Sequence, residues 1–307
     1  MTLVFAASDK GGTGRSVTST NVAYRHSLLG RDVCYVDFDF GSPTSGAIFN
    51  IGKASRGTMS SQGGLHAYFT GQTTDPVRID VWTESDRSSM RQRPPSAGRL
   101  VLLPGDQGGG EFPCDDDQVR RCVRLLLRLT GEFHLVLVDL SAGRSYATQM
   151  VLAALAEPQL RRAAYRWLVF HRWTRQHIIA AAGLAYGENG ILETGVAVGL
   201  PKPELLQAIR FVRTAVVHPE SEDLVGLSAP QIAWLRACNT ELHELAKESG
   251  VGRTMTVGEV PLEPMLQWRE QIISDNDVLV RRVASARTVA AFESLARHLR
   301  EQKAERA

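Results

Sequence analysis

The amino-acid sequence predicts an α/β fold, namely a doubly wound, mainly parallel sheet flanked by helices, with a helical insertion before the last strand. Two observations carry this prediction. Apolar segments typical of buried strands alternate with segments of helical spacing through the first half of the chain. A glycine-rich turn joins the first strand to the first helix. With 307 residues, 43% of them apolar, the chain can bury a large core.

The first strand, first helix and second strand form one βαβ unit, which should be parallel and right-handed. Residues 2–7 are a continuous apolar run, helical spacing extends over 16–29, and Gly30 is suited to end that helix. The β-branched and aromatic run at 32–38 predicts the second strand. The further elements predicted in this half are strands at 99–103, 134–140 and 165–171, a loop-dominated stretch at 41–98 and a helix at 117–129.

The stretch 174–253 is mainly helical by spacing, and it is the insertion of the predicted fold. Its candidate helices are 175–186, 203–214 and 229–248. A final strand at 255–260 and a C-terminal helix at about 277–302 follow. No internal repeat or convincing linker divides residues 1–307, so we expect a single domain that includes the insertion.

Charge and cysteine content narrow the class of protein. A net charge of +2 gives the whole molecule no strong attraction for nucleic acid, so any DNA contact needs a local basic patch. The four cysteines are scattered without metal-ligand spacing, which indicates ordinary thiols in a reducing, cytoplasmic setting. No apolar run approaches the roughly 20 residues that span a bilayer, and the N-terminal segment reads as a strand rather than a secretory leader.

The turn DKGGTGRS at residues 9–16 has the composition of a phosphate-binding loop. Its glycines let successive backbone N–H groups point at an anion, and the following helix N-terminus adds partial positive charge. Ser16 is placed to ligate Mg²⁺. A glycine-rich turn that only joins strand to helix is the alternative. The candidate cofactor-binding residues here are Lys10, Gly11, Gly12, Thr13, Gly14, Arg15, Ser16 and Val17.

Lys10 and the glycines after it resemble the deviant Walker A box of the ParA/MinD family of P-loop ATPases. That family also tolerates the missing first glycine, which Asp9 replaces here. The resemblance implies that Lys10 reaches across a dimer to the nucleotide of the partner subunit, as a catalytic residue. The likeness continues in register along nearly the whole chain.

Asp37 and Asp39, followed by Gly41 and Pro43, resemble switch I of this family. The resemblance implies that Asp39 contacts the attacking water, while Asp37 supports Mg²⁺ and the geometry of the loop. The chemistry is sensible, because phosphoryl transfer needs a carboxylate that orients water in line with the γ-phosphate. Two turn-capping aspartates are the alternative.

Residues 134–143 (HLVLVDLSAG) resemble the next signature, an apolar strand that delivers an aspartate and then a glycine. Asp139 ends a predicted parallel strand, at the ligand-binding edge of the sheet, where it can hold a Mg²⁺-bound water. Gly143 can contact the γ-phosphate through its N–H. Pro261 and residues 267–272 resemble the last strand and the loop that packs on adenine. The asparagine that often reads the base is absent, since residues 170–172 (FHR) occupy its place.

Arg15 is the departure from the family pattern that matters most. A guanidinium is broader than the ammonium of the usual lysine and planar, so the exchange is not conservative at a crowded site. Charge neutralisation survives the exchange, whereas the geometry for hydrolysis depends on how the guanidinium is accommodated. The sequence therefore predicts binding of ATP or ADP with Mg²⁺, and a weak ATPase if Arg15 permits the chemistry.

Basic and apolar surfaces suggest further contacts. Residues 120, 124 and 128 share one face of a predicted helix, which suits nonspecific DNA binding but equally an ordinary solvated face. The C-terminal helix has one apolar side, which we expect to pack on the core rather than contact a membrane. The arginine clusters are Arg87, Arg91, Arg93 and Arg99 in a loop, and Arg120, Arg121, Arg124 and Arg128 on the helix.

The resemblance implies a Mg²⁺·ATP-dependent molecular switch that forms a homodimer and positions or segregates DNA or another cargo. A protein partner would dock on residues 174–253. The main alternative is a nonhydrolysing regulatory or adaptor protein on the same fold, which Arg15 and His171 motivate. A metabolic enzyme of the same superfamily, such as an amidoligase, is a third reading, although no small-molecule pocket is evident in the sequence.

Overall fold

Eight strands form one sheet in the order β3-β4-β2-β5-β1-β6-β7-β8, and all neighbours are parallel except β3 and β4. The computed structural model describes residues 2–59, 61–218 and 224–301. The strands are Thr2–Ala7 (β1), Val33–Phe38 (β2), Ile79–Asp80 (β3), Leu100–Leu103 (β4), Leu135–Leu140 (β5), Tyr165–Arg172 (β6), Ile209–Val216 (β7) and Thr256–Pro261 (β8). This sheet confirms the predicted α/β class.

Helices cover both faces of the sheet. One face packs against α1, α2, α4 and α14, and the other packs against α6 to α10 and the end of α11. The helices are Arg15–Leu28 (α1), Ser45–Ile48 (α2), Leu65–Phe69 (α3), Val81–Glu84 (α4), Ser88–Arg91 (α5), Asp116–Glu132 (α6), Tyr146–Ala156 (α7), Arg175–Tyr186 (α8), Ile191–Ala197 (α9), Lys202–Ala208 (α10), Ala229–Glu248 (α11), Pro264–Trp268 (α12), Asp275–Leu279 (α13) and Ala286–Glu301 (α14).

The central strands are fully buried because both of their faces are covered. In β1, Leu3 and Phe5 belong to one hydrophobic cluster, while Val4 and Ala6 belong to the cluster on the opposite face. This explains why the strand reads as a continuous apolar run rather than an alternating one. The carboxyl ends of β1, β2 and β5 therefore meet at one edge of the sheet, where the glycine-rich turn begins.

The stretch 174–253 is mainly helical, as predicted, but it also contains a strand where the sequence predicted part of a helix. The candidate helix at 203–214 ends at Ala208, and Ile209–Val216 forms strand β7 between β6 and β8. Its apolar residues at 205, 208, 209 and 212 fit a helical spacing, but the free edge of β6 selects the strand. Because β8 pairs with β7, this stretch is an integral part of the sheet.

The elements that were not predicted include strand β3, helix α7, which follows β5, and the short helices α2, α4, α5, α9 and α12. The predicted C-terminal helix is two helices, α13 and α14, separated at residues 280–285, and Gln302 at its predicted end lies outside the described residues. Phe292, Leu295 and Ala296 of α14 are at most 2% exposed, so its apolar side packs on the core as predicted. The described residues contain no helix that is both long and apolar enough to cross a membrane.

Candidate functional site

The loop between β1 and α1 presents a row of unpaired backbone donors. Gly12 and Gly14 have φ of 70° and 76°, in the left-handed region that favours glycine. None of the backbone N–H groups of residues 11–17 donates to another residue that the structure describes. A Cβ placed on Gly11 or Gly12 would meet no atom within 4 Å, so the concave side of the loop is open. Such a loop at a helix N-terminus is a site for phosphate.

Neighbouring strands hold the loop in place. The Thr214 hydroxyl of β7 donates to the Thr13 carbonyl at 2.5 Å and lies 3.2 Å from the carbonyl of His171. On the other side, the Gly143 N–H donates to the Ser8 carbonyl at 2.8 Å. Gly143 itself has φ of 77°. Its N–H is therefore engaged within the chain, and contact with a γ-phosphate requires it to leave Ser8.

A second set of polar contacts joins the loop to the segment after β5. The Arg144 guanidinium binds the Asp9 carboxylate at 2.8 Å and also donates to the carbonyls of Gly183 and Glu188. Asp9, which replaces the usual glycine, therefore helps to hold the loop against the segment after β5. Sequence reasoning missed this contact because Asp9 and Arg144 are far apart in the chain.

The guanidinium of Arg15 is turned inward, onto the predicted catalytic and metal-binding carboxylates. Its Nε lies 2.5 Å from Asp139 Oδ1, its Nη2 lies 3.0 Å from Asp39 Oδ2, and Nη2 is 3.4 Å from the Ser16 hydroxyl. Burial opposes the charge on Arg15, but Asp139 and Asp39 outweigh it, and the pKa of Arg15 is raised. The side chain is 7% exposed, so this is a buried network.

Tyr35 also belongs to this network, and it was not identified as a site residue from the sequence. Its hydroxyl donates to the second oxygen of Asp139 at 2.8 Å and lies 2.8 Å from the Ser19 hydroxyl. Burial, then the charge of Asp139, raises the pKa of Tyr35 well above its usual range. The two-residue period of a strand puts Tyr35 on the same face as Asp37, and this signal was available from the sequence.

Asp37 is fully enclosed and is used within the chain. Its Oδ2 accepts hydrogen bonds from the Ser45 hydroxyl at 2.5 Å and the Ser45 N–H at 3.2 Å, and its Oδ1 accepts from the Asp39 N–H at 3.2 Å. Burial, reinforced by the nearby Asp139, raises the pKa of Asp37 to about 7. Burial also raises the pKa of Asp39, which Arg15 partly opposes. These contacts support the loop-geometry part of the role predicted for Asp37.

The oxygens around Arg15 form a cation site, and the guanidinium of Arg15 occupies it. Ser16, Asp39 and Asp139 are hard oxygen donors, as Mg²⁺ prefers, so the donor set fits the ion once the guanidinium has moved. The described residues contain no cluster of three or more His, Cys, Asp or Glu side chains suited to a metal. A metal here would therefore need further oxygens, such as those of a phosphate.

A cavity of about 260 Å³ lies beside the loop. Gly12, Gly14 and Val17 form its floor, and Pro261 and Gln267 line the opposite side, at the positions that resemble the adenine loop. Arg172 also lines this cavity, in the segment where the family pattern carries asparagine. The structure thus brings the phosphate-loop residues and Pro261 together around one space.

Lys10 lies apart from the buried network. Lys10 is exposed. Burial lowers the pKa of His177 on α8, and the charges of Lys10 and Arg172 lower it further. Lys10 makes no ion pair with a carboxylate of the described residues, so its ammonium group is available to a second molecule.

Most of the arginines in the two basic clusters have acidic or carbonyl partners. Arg87 binds the buried carboxylate of Asp277, and Arg99 binds Asp32. Arg91 donates to the Ser85 carbonyl and Arg93 to the Ala97 carbonyl. On α6, Arg120 and Arg121 pair with Asp117, and Arg128 pairs with Asp75. The arginines of the loop cluster are therefore tied to their own part of the fold, although Arg91, Arg93 and Arg99 remain exposed, as Arg120 and Arg124 do on the helix.

The four cysteines are free, and Cys34 and Cys122 are buried. Burial raises the pKa of both buried thiols, which makes them unreactive. Their environment matches the ordinary thiols that the sequence predicts.

Comparison with solved structures places this fold among known proteins, whereas no protein-family model and no curated protein matches the chain. MinD of Pyrococcus horikoshii in complex with Mg-ADP is 13% identical, with a TM-score of 0.54 over 100% of this chain and 99% of that chain. A plasmid partition protein of Borrelia burgdorferi B31 bound to AMPPNP is 12% identical, with a TM-score of 0.63 over 98% of each chain. MinD of Aquifex aeolicus is 17% identical, with a TM-score of 0.55 over 97% and 96%.

These similarities extend over nearly the whole of each chain, although at most 17% of the residues are identical. The likeness to the ParA/MinD family that the motifs predict is therefore confirmed at the level of the fold. This chain has the P-loop ATPase fold that the MinD and plasmid partition proteins share.

Proposed function

We propose that this protein is a nucleotide-dependent switch that binds ATP or ADP with Mg²⁺ at the loop of residues 10–17. The observation that carries the proposal is the run of unpaired N–H groups at residues 11–17, open on its concave side and adjoining a cavity. Unpaired donors held in one direction are costly unless water or an anion binds them. A triphosphate tail with its nucleoside in the cavity fits this arrangement.

The residues around the loop would divide the work of binding and hydrolysis. Arg15 would leave Asp139 and neutralise phosphate charge, and Asp139 and Ser16 would then hold the metal. Mg²⁺ in such a site neutralises charge that develops on the phosphate oxygens. Asp39 would orient the attacking water, and Asp37 would keep the loop in shape through Ser45. Gly143 would exchange its bond to Ser8 for a contact with the γ-phosphate.

We further propose that nucleotide brings two copies together through Lys10. Its exposed position supports this, because the ammonium group makes no ion pair with a carboxylate of the described residues and can reach a second molecule. Two solved relatives of this fold contain Mg-ADP or AMPPNP, and a third is a MinC:MinD complex, which supports both nucleotide and a protein partner. The cargo would be DNA or another macromolecule, and the partner would use residues 174–253.

Nucleotide binding is tested with a matched pair of glycine variants. Gly12 and Gly108 have φ of 70° and 72°, and an added Cβ meets no atom within 4 Å at either position. Gly12→Ala and Gly108→Ala therefore carry the same backbone strain, but only the former puts a methyl group into the cradle. We expect calorimetric ADP affinity to fall at least about tenfold in Gly12→Ala and to stay unchanged in Gly108→Ala. Equal affinity in all three proteins would refute the proposal.

Dimer formation is measured by light scattering with ADP, ATP and a slowly hydrolysed ATP analogue. We expect the mass to double with the analogue in the wild type and to stay monomeric in Lys10→Ala. A mass that does not respond to nucleotide, in a protein that binds ADP, would rule out this switch mechanism.

A nonhydrolysing adaptor is the second candidate, and the ion pairs of Arg15 favour it. A guanidinium bonded to both Asp139 and Asp39 occupies the two carboxylates that hydrolysis would use. Phosphate release from Mg²⁺·ATP, measured in the wild type and in Asp39→Ala, separates the candidates. Release that is lost in the variant supports the switch, and no release from either protein supports the adaptor.

DNA contact is a narrower proposal, which the exposed arginines of α6 support. Arg120 and Arg124 are exposed and lie four residues apart on one helix face. We expect Arg120→Glu with Arg124→Glu to weaken nonspecific DNA binding in the presence of nucleotide. Binding that is unchanged in this variant would place the DNA contact elsewhere.

A further inference from the structure

A second cavity, of about 510 Å³, lies outside the nucleotide site, on the other face of the sheet. Its walls come from the end of α11 and from the segment that leads into β8. The lining is mainly apolar in surface but includes three cationic side chains, those of Arg213, Lys247 and Arg253, together with His243. No carboxylate of the described residues lines it. This volume is within the range of pockets that hold small organic ligands.

Arg213 is the unusual member of this lining. Its side chain is only 1% exposed, and its Nη1 binds Glu259 at 2.7 Å. Its Nε and Nη2 are buried without a hydrogen-bond partner among the described residues. A buried guanidinium normally has its donors satisfied, because each unpaired charged donor loses its hydration without compensation. Arg213 is therefore a built-in positive charge that one half-buried carboxylate does not fully balance.

Aromatic packing fixes the position of this charge. The Arg213 guanidinium lies 4.0 Å from the centre of the Trp173 ring, and Trp173 in turn packs on His243 with ring centres 4.9 Å apart. The Trp173 indole N–H donates to Asn239 on α11 at 2.9 Å. The cation cannot turn away to solvent, since α11 is held over it by these contacts.

Lys247 and Arg253 stand at the exposed rim of the same cavity and make no ion pair with any residue in the described parts of the chain. The electrostatic potential at this rim is positive. Burial lowers the pKa of His243, and the charges of Arg213 and Arg253 lower it further. Met255 adds an apolar wall. A ligand that fits these features has an anionic head for the rim and an apolar or aromatic body for the interior.

Strand β7 connects this cavity to the nucleotide loop. Arg213 lines the one, while the next two residues, Thr214 and Ala215, line the other, and Thr214 donates to the Thr13 carbonyl of the loop. The strand is irregular here: the register with β8 shifts between Arg213 and Val216, and Ala215 has φ of 51°. Strained residues of this kind persist only where their surroundings hold them, and they are apt to shift when the surroundings change.

We propose that the cavity around Arg213, Lys247 and Arg253 binds a small organic anion with an apolar body, and that β7 couples its occupancy to the phosphate-binding loop. The binding site goes beyond the proposed function and stands without it. The coupling rests on the proposed function, because it acts on nucleotide affinity.

The probe for binding is anilinonaphthalene sulfonate, an aromatic anion of the required shape whose fluorescence rises in apolar surroundings. It is titrated into the wild type, into Lys247→Ala with Arg253→Ala, and into a control that removes the same two residue types elsewhere, Lys202→Ala with Arg56→Ala. All four positions are exposed, so each variant should fold, which thermal unfolding checks. We expect dye affinity to fall roughly tenfold in the rim variant and to stay near wild type in the control.

Equal dye affinity in the rim variant and the wild type would overturn the site, as would an equal loss in the control. Complete displacement of the dye by ADP would also overturn it, because the dye would then lie in the nucleotide cavity.

The coupling is measured by calorimetric titration of ADP with and without saturating dye. We expect ADP affinity to change about fivefold in the wild type, with a reciprocal change in dye affinity, and not to respond to dye in the rim variant. An ADP affinity that is the same with and without dye would overturn the coupling alone. Failure of ADP to bind at all would refute the proposed function while the dye result still decides the site.

Discussion

Arg15, in the glycine-rich loop, and Arg213, in strand β7, are both buried arginines, yet their surroundings differ. Arg15 binds two carboxylates, which more than offset the cost of burial and raise its pKa. Arg213 binds one carboxylate that is 33% exposed, and burial lowers its pKa despite that partner. Arg15 already has two carboxylate counterions, which an anionic ligand would have to replace. Arg213 has unpaired N–H donors that are available to an anionic ligand.

The difference predicts opposite behaviour in the empty protein. The Arg15 network contributes to stability and must open for phosphate to bind there. The Arg213 cluster stores unfavourable electrostatic free energy that an anion would relieve. Removing either arginine and measuring stability therefore tests the contrast directly.

The largest effect is expected for Arg15→Met. The substitution leaves the Asp139 and Asp39 carboxylates without their counterion in a buried site, so we expect the free energy of unfolding to fall by about 3–5 kcal/mol in urea titrations. Lys53→Met is the control, because its pair with Glu84 is exposed on both sides and should be worth under about 1 kcal/mol. A loss no greater than in the control would mean that the Arg15 contacts do not persist in solution.

The next effect is a pH dependence at His171, beside the Arg213 cluster. Burial, together with the charges of Arg213 and His177, lowers the pKa of His171 to about 4 in the folded chain, against an ordinary value near 6.5. The neutral ring therefore stabilises the fold fully above pH 6.5, and this contribution is lost as the pH falls toward 4. We expect the wild type to lose about 3 kcal/mol more than His171→Asn over this range, as measured by urea unfolding. Parallel pH profiles would show that His171 accepts a proton freely in the folded state.

Thr214→Val should have a smaller effect that sharpens the link between the two regions. Valine keeps the shape of threonine but cannot donate to Thr13, so we expect a loss of about 1 kcal/mol in the free energy of unfolding and a weaker ADP affinity. Thr70→Val removes a similar hydroxyl bond to a carbonyl far from the site and should leave ADP affinity unchanged. Unchanged ADP affinity in Thr214→Val as well would break the proposed link through β7.

The smallest effect is expected for Arg213→Met. Methionine fills similar volume and removes a cation whose Nε and Nη2 are unsatisfied, while Glu259 is left partly in water. We expect the free energy of unfolding to change by no more than about 1 kcal/mol, well below the change for Arg15→Met. A loss as large as that for Arg15→Met would show that Arg213 is fully satisfied, and the contrast would fail.

Prediction from the sequence succeeded where signals are local. The strands at 2–7 and 134–140 and the helix at 175–186 carry apolar runs or helical spacing that burial by neighbours reinforces. The helix at 229–248 also carries helical spacing, although Ala246 is its only buried residue. Prediction from the sequence failed at Ile209–Val216, where the apolar residues fit both the alternation of a strand and the spacing of a helix. There the choice was made by the free edge of β6, which lies far away in the sequence.

The candidate site shows the same division. The positions of Asp37, Asp39 and Asp139 followed from motifs that end strands, and the structure brings all three to one edge. The hydrogen-bond partners of the aspartates at the site could not be predicted from the sequence. These are Tyr35 for Asp139, Ser45 for Asp37 and Arg144 for Asp9. These contacts depend on strand order and on loops that cross, which no local pattern encodes.

The sequence by itself determined the α/β class, the glycine-rich loop and the carboxylates around it, because strand runs, turn glycines and strand-ending aspartates are local patterns. Only the tertiary structure decided that Arg15 faces inward, that β7 belongs to the sheet, and that Arg213 lies beside unpaired cations. The physical reason is that the cost of burying a charge depends on what packs against it, and for these residues the packing partners come from distant parts of the chain.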